Sequence, residues 1–362
     1  MNDRSWVATR KGLFEFRRRD GCWRIARHSF IGEPVSMLLA PTPQSGRMLA
    51  ALNLGHFGVK VHASDDAGQT WREVATPTYP AQPEAPPGDA PGVPWKLVQI
   101  WSMEVANGTV WAGTLPGGLF RSADFGESWS LVDSLWTRVE RAEWMGGGYD
   151  VPGIHSICPH PRRAGEVLLG ISCGGAWRTQ DDGAHWALAA RGMRADFMPP
   201  QQADDQNVQD PHLIVRCKAQ PERLWCQHHN GIWRSDDNAA SWLEVTDVPV
   251  SNFGFAVAVH PEQGDTAWFV PAIADQTRIP KGGALVVNRT LDGGRSFETL
   301  GRGLPGSDCY DLMYRHGLAL APDGRHLMMG STTGSLWASD DSGESWSMAA
   351  AHLPPIHAIR FG

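Results

Sequence analysis

Five histidines in this sequence are placed where they could share one ligand or one ion. His155 and His212 each lie near the start of a predicted strand, and His228 and His229 lie in a turn between two predicted strands. His56 lies in a comparable turn nearer the N-terminus. Imidazole nitrogens suit zinc, manganese, iron or copper, and three such ligands leave a coordination position open for substrate and water. We therefore predict that members of this set hold a divalent transition metal, zinc or manganese.

The same histidines permit two interpretations without a metal. A histidine titrates near neutral pH and can act as a general acid or base, or it can satisfy buried hydrogen bonds of the fold alone. The candidate catalytic residues are His155, His212, His228, Tyr310 and Asp311. The candidate substrate-binding residues are Arg10, Lys96, Arg278, Arg315 and Asn230. Because four of the second set are cations, a polar or anionic substrate is favoured.

An eight-residue phrase that occurs six times determines where these residues lie. It reads SDDAGQTW at its first occurrence, and the copies begin at Ser64, Ser122, Thr179, Ser235, Thr290 and Ser339. Successive copies start 58, 57, 56, 55 and 49 residues apart, and such a period is typical of a repeat architecture. The Ser or Thr and the Asp can cap the backbone amides of a tight turn. The fourth copy has Ala239 in place of Gly, so we expect a looser turn there.

Each repeat also contains the strands of a propeller blade. Two short apolar strands precede each phrase, a strand that ends in a Pro turn lies upstream, and one more strand follows. Residues 5–23 repeat the pattern without a complete phrase, and residues 357–361 can supply the inner strand that this blade lacks. We predict an all-β, seven-bladed β-propeller of residues 1–362, one domain whose ring is closed by the terminal strands. A six-bladed ring with an N-terminal strand extension is the alternative.

The repeated phrase resembles the Asp-box, S/T-x-D-x-G-x-x-W/F, of sialidase-like and BNR-repeat β-propellers. The whole chain resembles bacterial Asp-box propellers described as glycosyl-hydrolase-like, and residues 225–231, 254–261 and 310–316 carry that likeness. The resemblance implies the fold and leaves the activity open, because the Asp-box serves the fold and function lies in the site. Photosystem assembly factors and sortilin-type receptors have similar repeats and act by binding alone.

Sialidase activity is a narrower alternative within this resemblance. Residues 277–280 read TRIP and resemble the Arg-Ile-Pro motif of sialidases, but here they lie in the sixth blade and not in the first. No Glu partner for Tyr310 is evident, and a sialidase needs a Tyr–Glu pair. The arginines that could imitate its carboxylate clamp are Arg10, Arg278 and Arg315. The carboxylates available for ordinary glycoside hydrolysis are Glu33, Asp210 and Asp311.

The predicted topology assigns each loop to one of two faces. The Asp-box and Pro turns share the lower face, so we expect His160, His185 and His260 there to be structural. The connections between blades, and the loops between second and third strands, share the upper face. Four long segments lie on that face: residues 76–94, 133–153, 187–211 and 272–283. Because long insertions on one face of a repeat protein commonly surround a binding site, we predict a pocket at the upper mouth of the channel.

Composition excludes several classes of function. The chain has 362 residues and a net charge of −7 without an extended basic run, which argues against nucleic-acid binding. No apolar stretch approaches membrane-spanning length, which argues against a membrane protein. No signal peptide is recognisable. We therefore expect a cytoplasmic protein whose six cysteines stay reduced.

Two hypotheses of function follow. In the first, which we favour, the chain is a cytoplasmic hydrolase or lyase whose upper-face pocket binds a small polar or anionic molecule or a saccharide. In the second, it is a noncatalytic scaffold that binds a partner protein on the same face. The second hypothesis predicts exposed hydrophobic loop tips around Trp136, Trp144 and Met145.

Overall fold

Seven antiparallel sheets of four strands each follow one another around a central channel. The computed structural model describes residues 3–41, 45–83 and 92–362. The first blade contains β1 (Arg4–Thr9), β2 (Gly12–Arg19) and β3 (Cys22–Ser29), and its inner strand is the last strand of the chain, β28 (Ile356–Phe361).

The other six blades are each formed by four consecutive strands. The second blade contains β4 (Val35–Leu39), β5 (Met48–Asn53), β6 (Val59–Ser64) and β7 (Arg72–Val74). The third contains β8 (Gln99–Ala106), β9 (Thr109–Leu115), β10 (Leu119–Ser122) and β11 (Ser130–Leu131). The fourth contains β12 (Ile154–Pro159), β13 (Val167–Ile171), β14 (Gly175–Thr179) and β15 (Ala187–Leu188). The fifth contains β16 (Pro211–Arg216), β17 (Leu224–His228), β18 (Gly231–Ser235) and β19 (Leu243–Val245). The sixth contains β20 (Gly254–Val259), β21 (Ala267–Pro271), β22 (Val287–Thr290) and β23 (Glu298–Leu300). The seventh contains β24 (Leu318–Leu320), β25 (Leu327–Gly330), β26 (Leu336–Ser339) and β27 (Ser347–Ala350).

Helical structure is confined to short pieces of the connections. The described residues contain one α-helix, α1 (Asp133–Trp136), and the 3-10 segments Gly55–Phe57, Val139–Glu143, Lys281–Gly283 and Arg315–Gly317. None of these is long and apolar enough to cross a membrane. The prediction of an all-β chain is therefore confirmed.

The two ends of the chain meet in the first blade. Strand β28 pairs antiparallel with β1, with Ser5 opposite Phe361 and Val7 opposite Ile359. This pairing gives the first blade the inner strand that its own sequence lacks and closes the ring. The seven-bladed ring is confirmed, and the six-bladed alternative is wrong.

The six repeated turns share one hydrogen-bond pattern. In the first, the Ser64 hydroxyl accepts the amide of Gly68 at 2.8 Å, and the Asp66 carboxylate accepts the amide of Thr70 at 2.9 Å. The fourth turn keeps this pattern, because Ser235 accepts the amide of Ala239 at 2.9 Å. Ala239 adopts a left-handed φ of 63°, which is uncommon for a residue with a side chain. Our expectation of a looser fourth turn was therefore wrong.

Tryptophans join neighbouring blades. In three of the repeated turns the final tryptophan donates its indole N–H to the preceding blade: Trp71 to Ser29 at 3.1 Å, Trp129 to the carbonyl of Ala75 at 2.9 Å and Trp242 to the carbonyl of Ala189 at 2.8 Å. The largest fully buried side chains include Trp6, Trp111, Trp177, Trp225, Trp268 and Trp337, which lie in middle strands. Burial of this apolar surface between blades is the main force that holds the ring together.

Histidines of the lower face cap their own turns. The Nδ1 atom of His160 accepts the amides of Arg162 and Arg163 at 3.1 and 3.0 Å, and His260 makes the equivalent bonds. His185 pairs with Asp181 of its own turn. These local bonds are the structural role expected for the three residues.

Candidate functional site

The inner strands carry the polar residues of the site at their upper ends. In the fourth blade the pairing of β12 with β13 shifts register between Ile154 and Ser156, and in the fifth that of β16 with β17 shifts between Pro211 and Leu213. Such irregularities bend a strand and redirect its side chains. His155 and His212 lie within these two irregular steps, and both are fully buried.

Three residues of the fifth blade form a compact cluster. Asp210 directly precedes β16, His212 lies on it, and His229 lies in the two-residue turn between β17 and β18. The Oδ2 atom of Asp210 is 3.5 Å from Nε2 of His212 and 3.3 Å from Nδ1 of His229. Asp210 and His212 are each about 1% exposed, whereas the His229 side chain is 20% exposed.

The His212 ring is fixed by the sixth blade. Its Nδ1 atom is 2.6 Å from the backbone oxygen of Gly254, and its ring stacks on that of Phe255 with centroids 4.4 Å apart. Because a carbonyl only accepts, Nδ1 carries a proton. Burial lowers the pKa of His212 below its usual value, partly offset by Asp210. Nε2 is the ring nitrogen that faces Asp210, 3.5 Å from its Oδ2 atom.

Asp210 is held as a buried carboxylate. Its Oδ1 atom accepts the amide of Cys173 at 3.2 Å. Burial alone would raise the pKa of Asp210, but His212, His229 and the charge of Arg315 hold it well below its usual value. Gly147 passes so close that a side chain there would lie 3.0 Å from Oδ2 of Asp210.

The other two predicted histidines of this region are differently placed. The ring nitrogens of His228 lie 3.1 Å from the amides of Asp210 and Asn230. Burial lowers the pKa of His228 to about 3, so the ring is neutral and one of its two nitrogens can accept a backbone amide. The Nδ1 atom of His155 meets the Ser156 hydroxyl at 2.9 Å, and its Nε2 atom has no partner among the described residues. Burial and the charge of Arg315 hold the pKa of His155 well below its usual value.

A cavity of about 190 Å³ lies at the upper end of the channel. Its lining includes Gln99, Trp101, Tyr149, Arg278, Tyr314 and Arg315. The Arg315 side chain is 5% exposed, and its Nε and Nη2 atoms have no hydrogen-bond partner in the described part of the chain. A buried cation with unused donors is unfavourable. Arg315 contributes a buried positive charge to the lining of the cavity.

Arg278 reaches the same cavity from the long loop of the sixth blade. It pairs with Asp275 in its own loop, and one terminal nitrogen lies 3.5 Å from the Tyr314 hydroxyl. Its guanidinium lies over the Phe255 ring at 5.3 Å, and that of Arg315 lies over the same ring at 5.5 Å and over Trp101 at 4.6 Å. The structure thus brings together two of the predicted substrate-binding arginines. Both lie next to the ring on which His212 stacks.

Several predicted site residues lie outside this arrangement. The side chains of Arg10, Lys96, His56 and Glu33 are exposed, and none of the four lines the cavity. His56 packs on Phe57 with ring centroids 3.9 Å apart. Tyr310 is 64% exposed. The carboxylate of Asp311 accepts a hydrogen bond from the Thr333 hydroxyl, and the side-chain oxygen of Asn230 accepts the amide of Asp196 at 2.9 Å.

The tryptophans of segment 133–153 pack into the hydrophobic cores of the blades. Trp136 and Trp144 are buried, at 4% and 5% exposure, whereas Met145 is 43% exposed. The indole N–H of Trp144 donates to Asn207 at 2.8 Å, which ties segment 133–153 to segment 187–211. The expectation that both tryptophans are exposed tips was therefore wrong. Within segment 76–94, residues 84–91 lie outside the described residues.

Sequence reasoning missed the aromatic frame of the cavity. Trp101, Tyr149 and Phe255 were not singled out, although each lies in or beside an inner strand or a long upper-face segment. The signal that was available is their position: Trp101 is in β8 and Phe255 in β20, close to the upper end of each strand. A search for aromatic residues at those positions would have found both.

The fold is shared with solved propellers of different function. The GH74 xyloglucanase from Xanthomonas campestris is 15% identical with a TM-score of 0.65, and the match covers 96% of this chain and 52% of the xyloglucanase. The GH74 enzyme from Niastella koreensis is 15% identical with a TM-score of 0.63, covering 95% and 51%. YCF48 bound to a D1 peptide is 15% identical with a TM-score of 0.52, covering 95% and 88%.

These similarities show the fold alone. The chain spans about half the length of the two GH74 enzymes. No protein-family model and no curated protein matches the sequence. The structural neighbours include both glycoside hydrolases and a peptide-binding propeller, so the function must be argued from the site.

Proposed function

We propose that the upper-face cavity is the active site of an enzyme that acts on a small anionic molecule or an acidic saccharide, as a hydrolase or a lyase. The observation that carries the proposal is that two arginines, Arg278 and the buried Arg315, line one small cavity. A carboxylate matches the planar donors of a guanidinium. Arg278, in the same cavity, provides a second cation, although Asp275 already pairs with it.

The size and lining of the cavity support a small ligand group. A volume of about 190 Å³ is below the roughly 300–1,000 Å³ typical of sites for drug-sized molecules. It suits one sugar ring or a short carboxylic acid. Trp101 and Tyr149 provide aromatic surface, and Gln99 and Tyr314 provide polar atoms. This combination fits a saccharide with an acidic group better than an apolar ligand.

Titratable groups adjoin the lining of the cavity and would be the candidates for proton transfer: the His155 ring contacts that of Trp101, and Asp210 lies close to Gly147, the neighbour of the lining residue Gly148. His155 has a free Nε2 atom, and Asp210, His212 and His229 form the buried cluster described above. Hydrolysis needs a base for water, and a lyase needs a base for a carbon acid next to a carboxylate. The Asp-box resemblance to sialidase-like propellers and the GH74 neighbours are compatible with a saccharide substrate and do not identify one.

A panel of oligosaccharides tests the proposal. The protein is incubated with oligosaccharides that contain uronic or sialic acids and with neutral ones of equal length, and the products are analysed by mass spectrometry. Hydrolysis adds one water across the cleaved bond, whereas elimination gives an unsaturated product without added water. We expect turnover of an acidic substrate and its loss in Arg315→Met. Turnover of neutral and acidic substrates alike would contradict the role of Arg315.

A noncatalytic binding function is the second candidate. Large apolar side chains are exposed on several upper-face loops, including Ile31, Phe57, Val139, Phe197 and Tyr310. Such side chains around a channel mouth are compatible with a protein partner. If no acidic substrate is turned over while a protein ligand binds the upper face and competes with small acids, this candidate replaces the enzyme.

A further inference from the structure

We propose that Asp210, His212 and His229 bind one divalent transition metal ion, with zinc as the first candidate. One ligand atom from each residue, Oδ2, Nε2 and Nδ1 respectively, lies within 4.8 Å of the others. Two imidazoles and one carboxylate form a three-residue ligand set with room for water or substrate. Binding of the ion is independent of the proposed function. Only a catalytic role of the ion rests on that function.

The spacing of the three atoms matches a shared ion. Zinc bonds of about 2.0–2.2 Å at tetrahedral angles place neighbouring ligand atoms roughly 3.3–3.5 Å apart. The Asp210 oxygen lies 3.3 Å from the His229 nitrogen and 3.5 Å from the His212 nitrogen. Both separations are longer than a strong charge-assisted hydrogen bond, for which about 2.7–2.9 Å is typical. The three side chains therefore need only small rotations to converge on one ion.

The tautomer of His212 fits a metal ligand. The Nδ1 atom lies 2.6 Å from the carbonyl oxygen of Gly254, and because a carbonyl only accepts, Nδ1 carries a proton. Nε2, which faces Oδ2 of Asp210 at 3.5 Å, is then the ring nitrogen that would bind an ion.

Neighbouring groups fix the orientation of the proposed ligands. A ligating histidine commonly donates its other ring N–H to a carbonyl, and His212 does so to Gly254. The two carboxylate oxygens of Asp210 have different partners: Oδ1 accepts the amide of Cys173, and Oδ2 faces the histidines. Phe255 fixes the plane of the His212 ring by stacking on it.

This ligand set differs from the one expected from sequence. The ring nitrogens of His228 face two backbone amides, His155 belongs to the fourth blade, and His56 is exposed on the second. Asp210, which the sequence marked only as a carboxylate for hydrolysis, replaces them. In the proposed enzyme, the ion would polarise a substrate oxygen or a water beside the Arg315 cavity.

Calorimetric titration of the chelator-stripped protein with zinc chloride, and separately with manganese chloride, tests the site. We expect one ion per chain, and an affinity at least about 10-fold lower in His229→Ala and in Asp210→Asn. His56→Ala is the matched control and should bind as the unaltered protein does. Because His229 lies in a partly exposed turn, its replacement should leave the fold intact, which thermal unfolding checks.

Two results would overturn the site. The first is that neither zinc nor manganese binds the stripped, folded protein. The second is that His229→Ala and Asp210→Asn both bind the ion as tightly as the unaltered protein does. A cobalt-substituted sample gives an independent signal, because removal of a ligand nitrogen changes its visible absorption. The failure of this proposal is distinguishable from failure of the proposed function: His229→Ala should still bind a small acid at Arg315, and Arg315→Met should still bind the ion.

Discussion

The imidazole of His212 stacks on the phenyl ring of Phe255, with centroids 4.4 Å apart and planes inclined by 14°. The same phenyl ring lies under the guanidinium groups of Arg278 and Arg315, at 5.3 and 5.5 Å. One side chain of the sixth blade therefore positions the histidine of the fifth blade, the arginine of its own long loop and the arginine that precedes β24. Phe255 thus connects the two arginines that line the cavity with His212 of the Asp210 cluster.

Replacement of Phe255 by leucine should weaken the site more than the fold. The change removes two cation–π contacts, each worth about 0.5–2 kcal/mol, while a similar-sized apolar side chain keeps most of the packing, at a cost below about 1.5 kcal/mol. We expect the affinity for glucuronate to fall at least about 10-fold. Phe253→Leu is the control, because Phe253 contacts His212 and His229 at its edges. Equal affinity losses in the two variants would contradict the assignment.

The hydrogen bonds of Asn207, which join two upper-face loops, give a second prediction. Asn207 accepts from Trp144 and donates to the carbonyl of Glu140 and the carboxylate of Glu143, both at 2.9 Å. Asn207→Ala leaves the buried indole N–H of Trp144 without its partner, which costs about 1–3 kcal/mol. We expect the free energy of unfolding, measured with denaturant, to fall by that amount, and segment 133–153 to be cleaved faster by a protease. Met145→Ala, at a 43% exposed position, should change stability by less than about 0.5 kcal/mol.

The Asp-box carboxylates predict a loss of stability in acid. Hydrogen bonds, first from the Ser296 side chain and then from its amide, lower the pKa of Asp292 to about 2, and the pKa of Asp124 is likewise lowered to about 2. A carboxylate whose pKa is lower in the folded state stabilises the fold above its unfolded value of about 3.9. That stability is lost as the pH falls through about 2.

Thermal unfolding of Asp292→Asn across this range tests the effect. The variant should be less stable than the unaltered protein near pH 7, and the difference should shrink as the pH falls from about 4 to about 2. Asp150→Asn, at an exposed upper-face position, is the control. A stability difference that is independent of pH would show that Asp292 acts without its charge.

The fold could be predicted because its signals are local. Each repeated turn forms from hydrogen bonds within eight residues, such as that between Ser64 and Gly68, so its geometry follows from the residue types. The pairing of residues 357–361 with the first blade followed from counting strands. Even Ala239 was accommodated, because the hydroxyl of Ser235 still holds its amide at 2.9 Å.

The site could be predicted only in part, because it depends on side-chain orientations that the residue types do not determine. The register shifts in the fourth and fifth blades decide where His155 and His212 point, and no short motif specifies them. His228 and His229 are adjacent in sequence, yet one ring faces backbone amides and the other faces Asp210. Trp136 and Trp144 could not be recognised as buried, because their partners come from distant loops.

The measurement that most directly tests the central claim is calorimetric binding of glucuronate, with glucose as the neutral analogue, to the unaltered protein, Arg315→Met and Arg10→Gln. Charge-assisted hydrogen bonds of about 1.5–3 kcal/mol correspond to a loss of roughly 10- to 100-fold in affinity. We expect that loss in Arg315→Met only, with an unfolding free energy unchanged or up to about 2 kcal/mol higher because an unpaired buried charge is gone. Absence of glucuronate binding to the unaltered protein, or equal binding of glucose, would contradict an anion-binding active site.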